Sequence, residues 1–334
     1  MTRSSSLTFR KSLPVLASCF LLVSATAHAQ PNPFPARPVT LIVPFPAGGP
    51  SDVLARTIAQ RMGEKLGQPL IIENVGGAGG TIGTTKVAKA APDGYTLGFG
   101  TVGTHVVNVT LYMKLSYDPG ADFEPIGLAG TAPMMLLARA NLPANNLQEF
   151  VAYLKQHPRN VSYASAGVGS ISHFGCVMLL SAIKQNVTHV PYRGVAPAMN
   201  DLMGGQIDFM CDQTTTALPQ IAGGKIKAIA VLSDRKLPQL PKTETASAAG
   251  YGDLNLRAWN ALFAPRSTPS VVVKRLGEAL VAAVADPKLR QQMQTVGVDL
   301  PTPEIGGPAT VTALIVMGLK RDVPALKAHG EYLD

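Results

Sequence analysis

The stretch PFPAGGPSDVLAR at residues 44–56 restricts the fold most, because it joins an apolar β-rich run to a helical pattern through a short glycine turn. The run before it, residues 38–43, reads PVTLIV, and Leu54, Ile58 and Met62 recur after it at helical spacing. The N-terminus of a helix presents unpaired N–H groups, which attract anions. The stretch therefore predicts a strand, a turn and a helix start suited to an acid.

The same alternation of strand and helix continues along the chain and predicts an α/β fold with mostly parallel sheets. Predicted strands cover residues 39–43, 70–73, 95–99, 134–138, 161–164, 188–190, 207–210 and 226–232. Predicted helices cover residues 51–66, 81–90, 147–156, 170–185 and 196–203, and residues from 269 to the end are largely helical. A chain of about 300 residues is near the limit of one core, so two lobes with a cleft between them are expected.

The N-terminus has the pattern of a cleavable secretory signal. A basic start, MTRSSSLTFRK, is followed by the apolar run LPVLASCFLLVSA and by small residues before Gln30. We place the cleavage after Ala29, so residues 1–29 are the predicted signal peptide. The mature protein is then expected to be exported.

Charge and cysteine content narrow the classes of partner. The formal net charge is +8, but no stripe of Lys and Arg with interleaved aromatics occurs, so no nucleic-acid partner is expected. Outside the predicted signal peptide the cysteines are Cys176 and Cys211. One bridge between them is possible, and two buried free thiols are the expectation.

Five predicted strand-to-helix junctions combine glycines with small hydroxyl side chains. Each offers backbone N–H groups and a hydroxyl to a carboxylate, although any one of them alone is more typical of an ordinary tight turn. Open α/β sheets bind ligands beyond the carboxyl ends of their strands, where such junctions meet. The junctions are residues 44–52, 75–83, 100–108, 163–174 and 211–219.

Motifs for cofactors and metals are not matched. Residues 77–83 read GAGGTIG and fail the dinucleotide fingerprint GxGxxG, and no GxxxxGK[ST] phosphate loop is present. Cys176 and Cys211 lack the paired ligand spacing of a zinc site. The sequence therefore predicts neither a cofactor nor a metal.

A serine hydrolase is the enzymatic alternative. The nearest match to GxSxG is YASAG at residues 163–167, which has tyrosine in place of the first glycine. No spacing of His105, His173 and His189 makes a triad with a serine, and the expectation is a protein that is not an enzyme. Ser165 or Ser170 would be the nucleophile of the alternative.

Asp52 has two possible roles at the first junction. It can accept N–H bonds at the helix start or pair with Arg56 one turn later, which would fix the loop. It can instead contact the ligand, directly or through water. The sequence leaves both roles open.

Six segments, in this order, resemble the Bug family, the extracytoplasmic solute receptors of tripartite tricarboxylate transporters, over nearly the whole mature chain. The segments are PFPAGGPSDVLAR, ENVGGAGGTIGTTKVAKAAPDGYTL, LYMKLSYDPGADFEPIGL, ASAGVGSISHF, HVPYRGVAPAMNDLMGGQIDFMCD and GGKIKAIAVLSDRKLPQLPKT.

The resemblance implies a monomeric, two-lobed periplasmic binding protein of type II, in which each lobe is a sheet flanked by helices. It closes on a small carboxylate and delivers this ligand to the permease subunits of a transporter. Lobe 1 would comprise residues 30–131 and 255–334, and lobe 2 residues 132–254, with Trp259 near the returning crossover. A sensor that presents its closed form to a membrane kinase would have the same sequence pattern.

The resemblance also implies which residues bind the carboxylate, mainly through backbone N–H groups and hydroxyls. They come from the first, third, fourth and fifth junctions. They are Phe45, Ala47, Gly48, Ser51, Asp52, Gly103, Thr104, His105, Ser165, Ala166, Gly167, Ser170, His173, Asp212 and Thr214.

Overall fold

Nine strands and ten helices occur in the part of the chain that the computed structural model describes, residues 1–2 and 34–328. The predicted cleavage after Ala29 lies outside these residues. The strands are β1 (Val39–Val43), β2 (Leu70–Asn74), β3 (Thr96–Thr101), β4 (Phe123–Arg139), β5 (Ser162–Ser165), β6 (Thr188–Pro191), β7 (Phe209–Gln213), β8 (Ile226–Val231) and β9 (Arg257–Pro265). The helices are α1 (Pro50–Leu66), α2 (Thr81–Ala88), α3 (Asn108–Leu111), α4 (Leu147–Gln156), α5 (Ile171–Ala182), α6 (Val195–Met203), α7 (Thr214–Ala222), α8 (Ser270–Ala285), α9 (Pro287–Thr295) and α10 (Pro308–Ala328).

The strands form one mixed sheet in the order β2-β1-β3-β9-β4-β7-β5-β6, with β8 also paired to β4. Parallel pairs lie at both ends of this order, β1 with β2 and β3, and β5 with β6 and β7. Antiparallel pairs hold the middle. The α/β class is confirmed, and the sheet is mixed where mostly parallel sheets were expected, because β4 and β9 run back through its centre.

The long strand β4 changes partners along its length. Residues Phe123–Pro133 pair with β9, whereas Met134–Arg139 pair with β7 and β8. The change falls next to the predicted lobe boundary at residues 131 and 132, and β9 begins just after the second boundary, at residues 254 and 255. The division into lobes with these limits stays a prediction that the pairing supports.

Helix α1 shows how the sequence pattern becomes packing. Pro50 occupies its first turn, and the chain leaves the helix through Gly67, whose φ of 75° suits glycine. Leu54, Ile58 and Met62 are buried on one face, in a core cluster that also includes Leu276 and Leu280 of α8. This packing fixes the direction in which the helix start points.

The expectation of free thiols is wrong. Cys176 of α5 and Cys211 of β7 form a buried disulfide with their Cα atoms 5.4 Å apart. Sequence spacing does not show that a helix and a strand 35 residues apart face each other. A closed loop of this length stabilises the fold by about 4 kcal/mol in the chain-entropy account, and it ties the helix to the strand.

Helix α10 is the longest of the described helices, and Gly318 in it lies against Val106. Its closest neighbours include β4 and the turn at residues 103–107. Within residues 1–2 and 34–328, no helix has both the length and the apolar character that a membrane span requires.

Candidate functional site

Four helices begin around one small cavity of about 30 Å³. They are α1, α5, α6 and α7, and they follow β1, β5, β6 and β7. The cavity lining contains no charged side chain. It is formed by Phe45, Pro46, Gly49, Pro50, Ser51, Thr101, Ala166, Ser170, Ile171, Ser172, Val195 and Gln213.

The start of α1 supplies backbone donors to this cavity. Gly49 is the N-cap residue and has no capping side chain, and Val53 N–H donates to its carbonyl oxygen over 3.1 Å. Within the described residues, the N–H groups of Ser51 and Asp52 have no acceptor. Two donors at the positive end of a helix of 17 residues therefore stay available for an anion.

Asp52 holds this corner together. Its Oδ2 accepts hydrogen bonds of 2.9 Å from Gly48 N–H and Arg56 Nε, and its Oδ1 accepts one of 2.8 Å from Asn74 Nδ2. Burial by itself would raise the pKa of Asp52, but hydrogen bonds from Arg56, Gly48 and Asn74 outweigh it and hold the pKa below its ordinary value. Asp52 does not line the cavity, so the structure favours the loop-fixing role.

Polar side chains of the α5 loop are bonded to the loop itself. Ser172 Oγ accepts a bond of 2.8 Å from Ala166 N–H. Ser170 Oγ donates to the Gly167 carbonyl oxygen over 2.6 Å and accepts from His173 N–H over 3.2 Å, so Ser170 caps α5. These bonds keep the loop in the shape in which Ala166 and Ser170 line the cavity.

Ser165 and His173 lie behind the cavity lining. Ser165 is fully buried, and its Oγ is 2.7 Å from Nε2 of His189. The ring of His173 stacks on the ring of His189, with 4.6 Å between the ring centres. The chain thus brings two histidines next to Ser165, a pairing that spacing along the sequence did not indicate.

The end of β7 brings Gln213 into the cavity and leaves Asp212 beside it in the interior. Asp212 is completely buried, and its Oδ1 has no partner within the described residues. Burial raises the pKa of Asp212 to about 7, against hydrogen bonds from Thr216 and the Gln213 backbone that lower it. Thr214 Oγ1 donates to the Gly297 carbonyl oxygen over 2.9 Å, so Thr214 joins α7 to the turn after α9.

The junction after β3 turns away from the cavity. Gly103, Thr104 and His105 lie in a π-helical turn and are absent from the lining, where Thr101 stands instead. His105 is buried and stacks on Phe263 with ring centres 3.9 Å apart, and burial lowers its pKa to about 3. The expectation that these three residues contact the ligand therefore has no support in their placement.

Gly103 has a packing role at this junction. A Cβ on it would lie 2.9 Å from the carbonyl oxygen of Gly169, so the turn packs directly on the α5 loop. A glycine at this position was predicted to mark the ligand site, but the close approach of two backbones explains it.

Of the expected site residues, four line the cavity: Phe45, Ser51, Ala166 and Ser170. Ala47 and Gly48 belong to the same corner, and a Cβ on Gly48 would lie 3.9 Å from Ala196 Cβ. Gly167 lines an adjoining cavity of about 390 Å³ that shares Phe45, Pro46 and Ala166 with the first and also contains the exposed Arg193.

Several lining residues were missed by the sequence analysis. Ser172 and Ile171 are the first residues of α5, and Gln213 is the last residue of β7. Their position at a predicted junction was the available signal, because the first residues of a helix after a strand point toward the shared edge of the sheet. The other missed residues are Pro46, Gly49, Pro50, Thr101 and Val195.

A metal site is not formed by the described residues, since no three His, Cys, Asp or Glu side chains come together there. The cavity instead offers backbone N–H groups, hydroxyls and one amide. Donors of this kind suit an anionic oxygen.

The model of the tripartite tricarboxylate transporter family receptor matches residues 54–321. The chain belongs to this family. The resemblance to the Bug receptors is thereby confirmed, and the receptor is similar to the UPF0065 protein in the TAR-I ttuE-ttuC' intergenic region of Agrobacterium vitis. The two are 40% identical over 286 residues, which cover 84% of this chain and 82% of that protein.

Two solved structures resemble this chain. The periplasmic binding protein BugD has a TM-score of 0.86 at 42% identity, over 90% of this chain and 99% of BugD. MatC from Rhodopseudomonas palustris with bound malate has a TM-score of 0.85 at 41% identity, over 87% of this chain and 99% of MatC. The receptor is therefore a periplasmic solute-binding protein by family.

Proposed function

We propose that this receptor binds a small carboxylate in the cavity at the starts of α1, α5, α6 and α7. The observation that carries the proposal is the convergence of four helix N-termini on a lining without charged side chains. Each N-terminus contributes a partial positive charge, and α1, α6 and α7 have no side-chain cap that would occupy their donors. The malate bound by MatC is an acid of the expected kind.

Hydrogen bonds alone can account for a micromolar affinity for the carboxylate. A dissociation constant of 1 μM corresponds to about −8 kcal/mol. Four or five hydrogen bonds to a charged group, at roughly 1.5–3 kcal/mol each, reach that value after the ordering costs of binding. No cationic side chain is required at the carboxylate.

The receptor would deliver its ligand to the permease subunits of a tripartite tricarboxylate transporter, after export through the predicted signal peptide. Closure of two lobes around the acid would provide the signal for delivery, because a ligand shifts the equilibrium only through contacts it makes in the closed state. Delivery to a membrane sensor kinase is the alternative, and capture of partners from solubilised membranes separates permease subunits from a kinase.

The test of carboxylate binding is native mass spectrometry of the receptor purified from its source, followed by calorimetry with the acid identified. Release of a small carboxylic acid that rebinds with a stoichiometry of one is the expected result. A receptor that carries no acid and binds none from a panel of mono-, di- and tricarboxylates contradicts the proposal.

A hydrolase remains the second candidate because Ser165 Oγ lies 2.7 Å from His189 Nε2. Against it, Ser165 is fully buried, and its Oγ already accepts a hydrogen bond of 3.1 Å from Gly167 N–H. Incubation of the protein with p-nitrophenyl esters of short acids distinguishes a hydrolase from a carboxylate receptor. Turnover that Ser165→Ala abolishes supports the hydrolase, and the receptor proposal expects none.

A further inference from the structure

Gln213 differs from the other polar side chains of the cavity in having no partner. Its residue is 4% exposed and lines the cavity, and its side-chain amide makes no hydrogen bond to any described residue. A glutamine buried in this way has two N–H donors and one carbonyl acceptor to satisfy. The amide is therefore left for a molecule inside the cavity.

The hydroxyls around it are occupied by the protein. Ser51 Oγ donates to Asn260 Oδ1 over 2.8 Å, and Thr101 Oγ1 accepts from Thr104 N–H over 3.3 Å. Ser170 and Ser172 are bonded within the α5 loop, as described above. Among the polar lining side chains, Gln213 thus keeps its full hydrogen-bonding capacity for a ligand.

The chemistry of an amide restricts that ligand further. The Nε2 group can donate to a carboxylate, but the Oε1 atom needs a donor, and an ionised carboxylate has none. The backbone N–H groups at the helix N-termini around the cavity are donors and cannot accept a hydrogen bond from a ligand. A ligand that satisfies both ends of the amide must carry a hydroxyl, amino or amide N–H in addition to its carboxylate.

We infer that Gln213 is a specificity-determining residue that selects acids with a hydroxyl or amino substituent over the unsubstituted acids of the same length. This inference rests on the proposed binding of a carboxylate in the same cavity. A bound acid that fills the cavity without offering a donor leaves the amide oxygen unpaired, which is costly, so such an acid is rejected. Apolar contacts with Phe45 and Val195 are available to both kinds of acid and do not discriminate between them.

The test compares acids that differ by one hydroxyl, by calorimetry on the full mature chain. The pairs are succinate with L-malate, glutarate with 2-hydroxyglutarate, and 3-phenylpropionate with 3-phenyllactate. The variant is Gln213→Met, which keeps the length of the side chain and removes the amide. Gln206→Met, at an exposed position in the turn before β7, is the matched control.

For the pair that binds, we expect the wild type to prefer the hydroxy acid by about tenfold or more. In Gln213→Met this ratio should fall to about one, with the unsubstituted acid bound about as tightly as before, and Gln206→Met should keep the wild-type ratio. The melting temperature of unliganded Gln213→Met should not fall, because the native amide has no bond to lose.

Two outcomes overturn the inference and leave the carboxylate function standing: a wild type that binds the acids without preference, or a Gln213→Met variant that keeps the preference. A wild type that binds none of the six acids, and that carries no acid when purified from its source, contradicts the carboxylate function and the inference together. The two failures are therefore distinguishable.

Discussion

The junctions after β1 and after β7 line the same cavity, and each carries a buried aspartate, but the two aspartates are in opposite states. Asp52 is hydrogen-bonded through both oxygens, to Gly48, Arg56 and Asn74. Asp212 is completely buried with Oδ1 unpaired in the described structure. The pKa of Asp52 is therefore lowered, and that of Asp212 is raised to about 7.

The difference indicates a division of tasks. The corner after β1 is complete without a ligand and presents fixed backbone donors, as a site for any carboxylate requires. The corner after β7 leaves Asp212 Oδ1 buried without a partner, and the Gln213 amide faces the cavity without a bond to a described residue. General affinity for carboxylates is thus expected from the first corner and selectivity from the second.

The largest expected effect is that of Asp212→Asn on stability. One pKa unit corresponds to about 1.4 kcal/mol, and the shift from 3.8 to about 7 therefore to roughly 4 kcal/mol. Folded wild type keeps the proton that the unfolded chain releases, so its stability falls as pH rises from 3.8 to about 7. The variant has no such charge and should gain up to about 4 kcal/mol over wild type above pH 7.

Urea unfolding of both unliganded proteins at several pH values measures this gain. The two free energies of unfolding should converge below about pH 3, where the aspartic acid is protonated in both the folded and the unfolded state. A variant that is less stable than wild type at pH 8 would show that the ionised carboxylate is stabilised by a partner.

Asp52→Asn should have the opposite effect. We expect a loss of about 2 kcal/mol at pH 7, because the hydrogen bonds from Arg56 and Gly48 lose a charged acceptor. The folded pKa of Asp52 is lowered, so this contribution is fully present above the ordinary value of 3.8 and is lost as pH falls through the folded pKa. Urea unfolding of this variant and of wild type at the same pH values measures the loss and its pH dependence.

The control for Asp52 is Glu64→Gln. Glu64 pairs with Arg61 over 3.2 Å, but its side chain is 56% exposed, so its loss should change stability by no more than about 0.5 kcal/mol. Equal stability of Asp52→Asn and wild type at pH 7 would refute the loop-fixing role.

The variants Ser51→Ala and Thr104→Val distinguish a residue that lines the cavity from a residue that supports the fold beside it. Ser51 lines the cavity, and its bond to Asn260 Oδ1 fixes the start of α1, whose N–H groups face the ligand, so we expect Ser51→Ala to weaken binding of the identified acid about tenfold. Thr104 Oγ1 bonds to Thr101 N–H over 2.9 Å and to His105 Nδ1 over 2.8 Å. Thr104→Val should cost about 1.5 kcal/mol of stability and leave the dissociation constant within twofold, roughly the precision of calorimetry.

Calorimetry on the same two variants checks the predicted affinities, and thermal melts check the predicted stabilities. Loss of affinity in Thr104→Val without loss of stability would show that the junction after β3 belongs to the ligand site, as predicted from the sequence.

Arg193→Met should have the smallest effect. Arg193 is exposed in the adjoining cavity and pairs with no acid in the described structure. Since exposed charges are screened by salt, we expect a change in dissociation constant of less than about threefold, which disappears at 0.5 M salt. A loss of 100-fold or more that persists in salt would identify Arg193 as the carboxylate partner.

Much of the fold follows from local patterns in the sequence. The predicted helix at residues 147–156 coincides with α4, because Asn146 accepts the Glu149 N–H and an apolar face follows. The predicted strand at residues 134–138 covers only the end of β4, and β9 was not among the predicted strands. Glycines and prolines at residues 123–133 weaken the strand pattern, and the pairing of β4 with β9 overrides it.

The sequence predicted which strand-to-helix junctions could form the site, but not which residues of those junctions line the cavity. The corner at residues 44–52 was found because glycines, Pro50 and an apolar helix face all indicate the same helix start. The sequence could not show which glycine junction faces a cavity, since His105 turns inward through contacts with Phe123 and Phe263 that are distant in the chain. Gln213 was missed because its two neighbours, Asp212 and Thr214, matched the family expectation.

A crystal structure of the receptor with its identified acid tests the central claim most directly. We predict carboxylate oxygens within about 3 Å of backbone N–H groups at the starts of α1 and α5, with Gln213 on the same ligand and no cationic side chain in contact. A carboxylate held by Arg193, or an acid bound outside the cavity of Ser51 and Ser170, would contradict it.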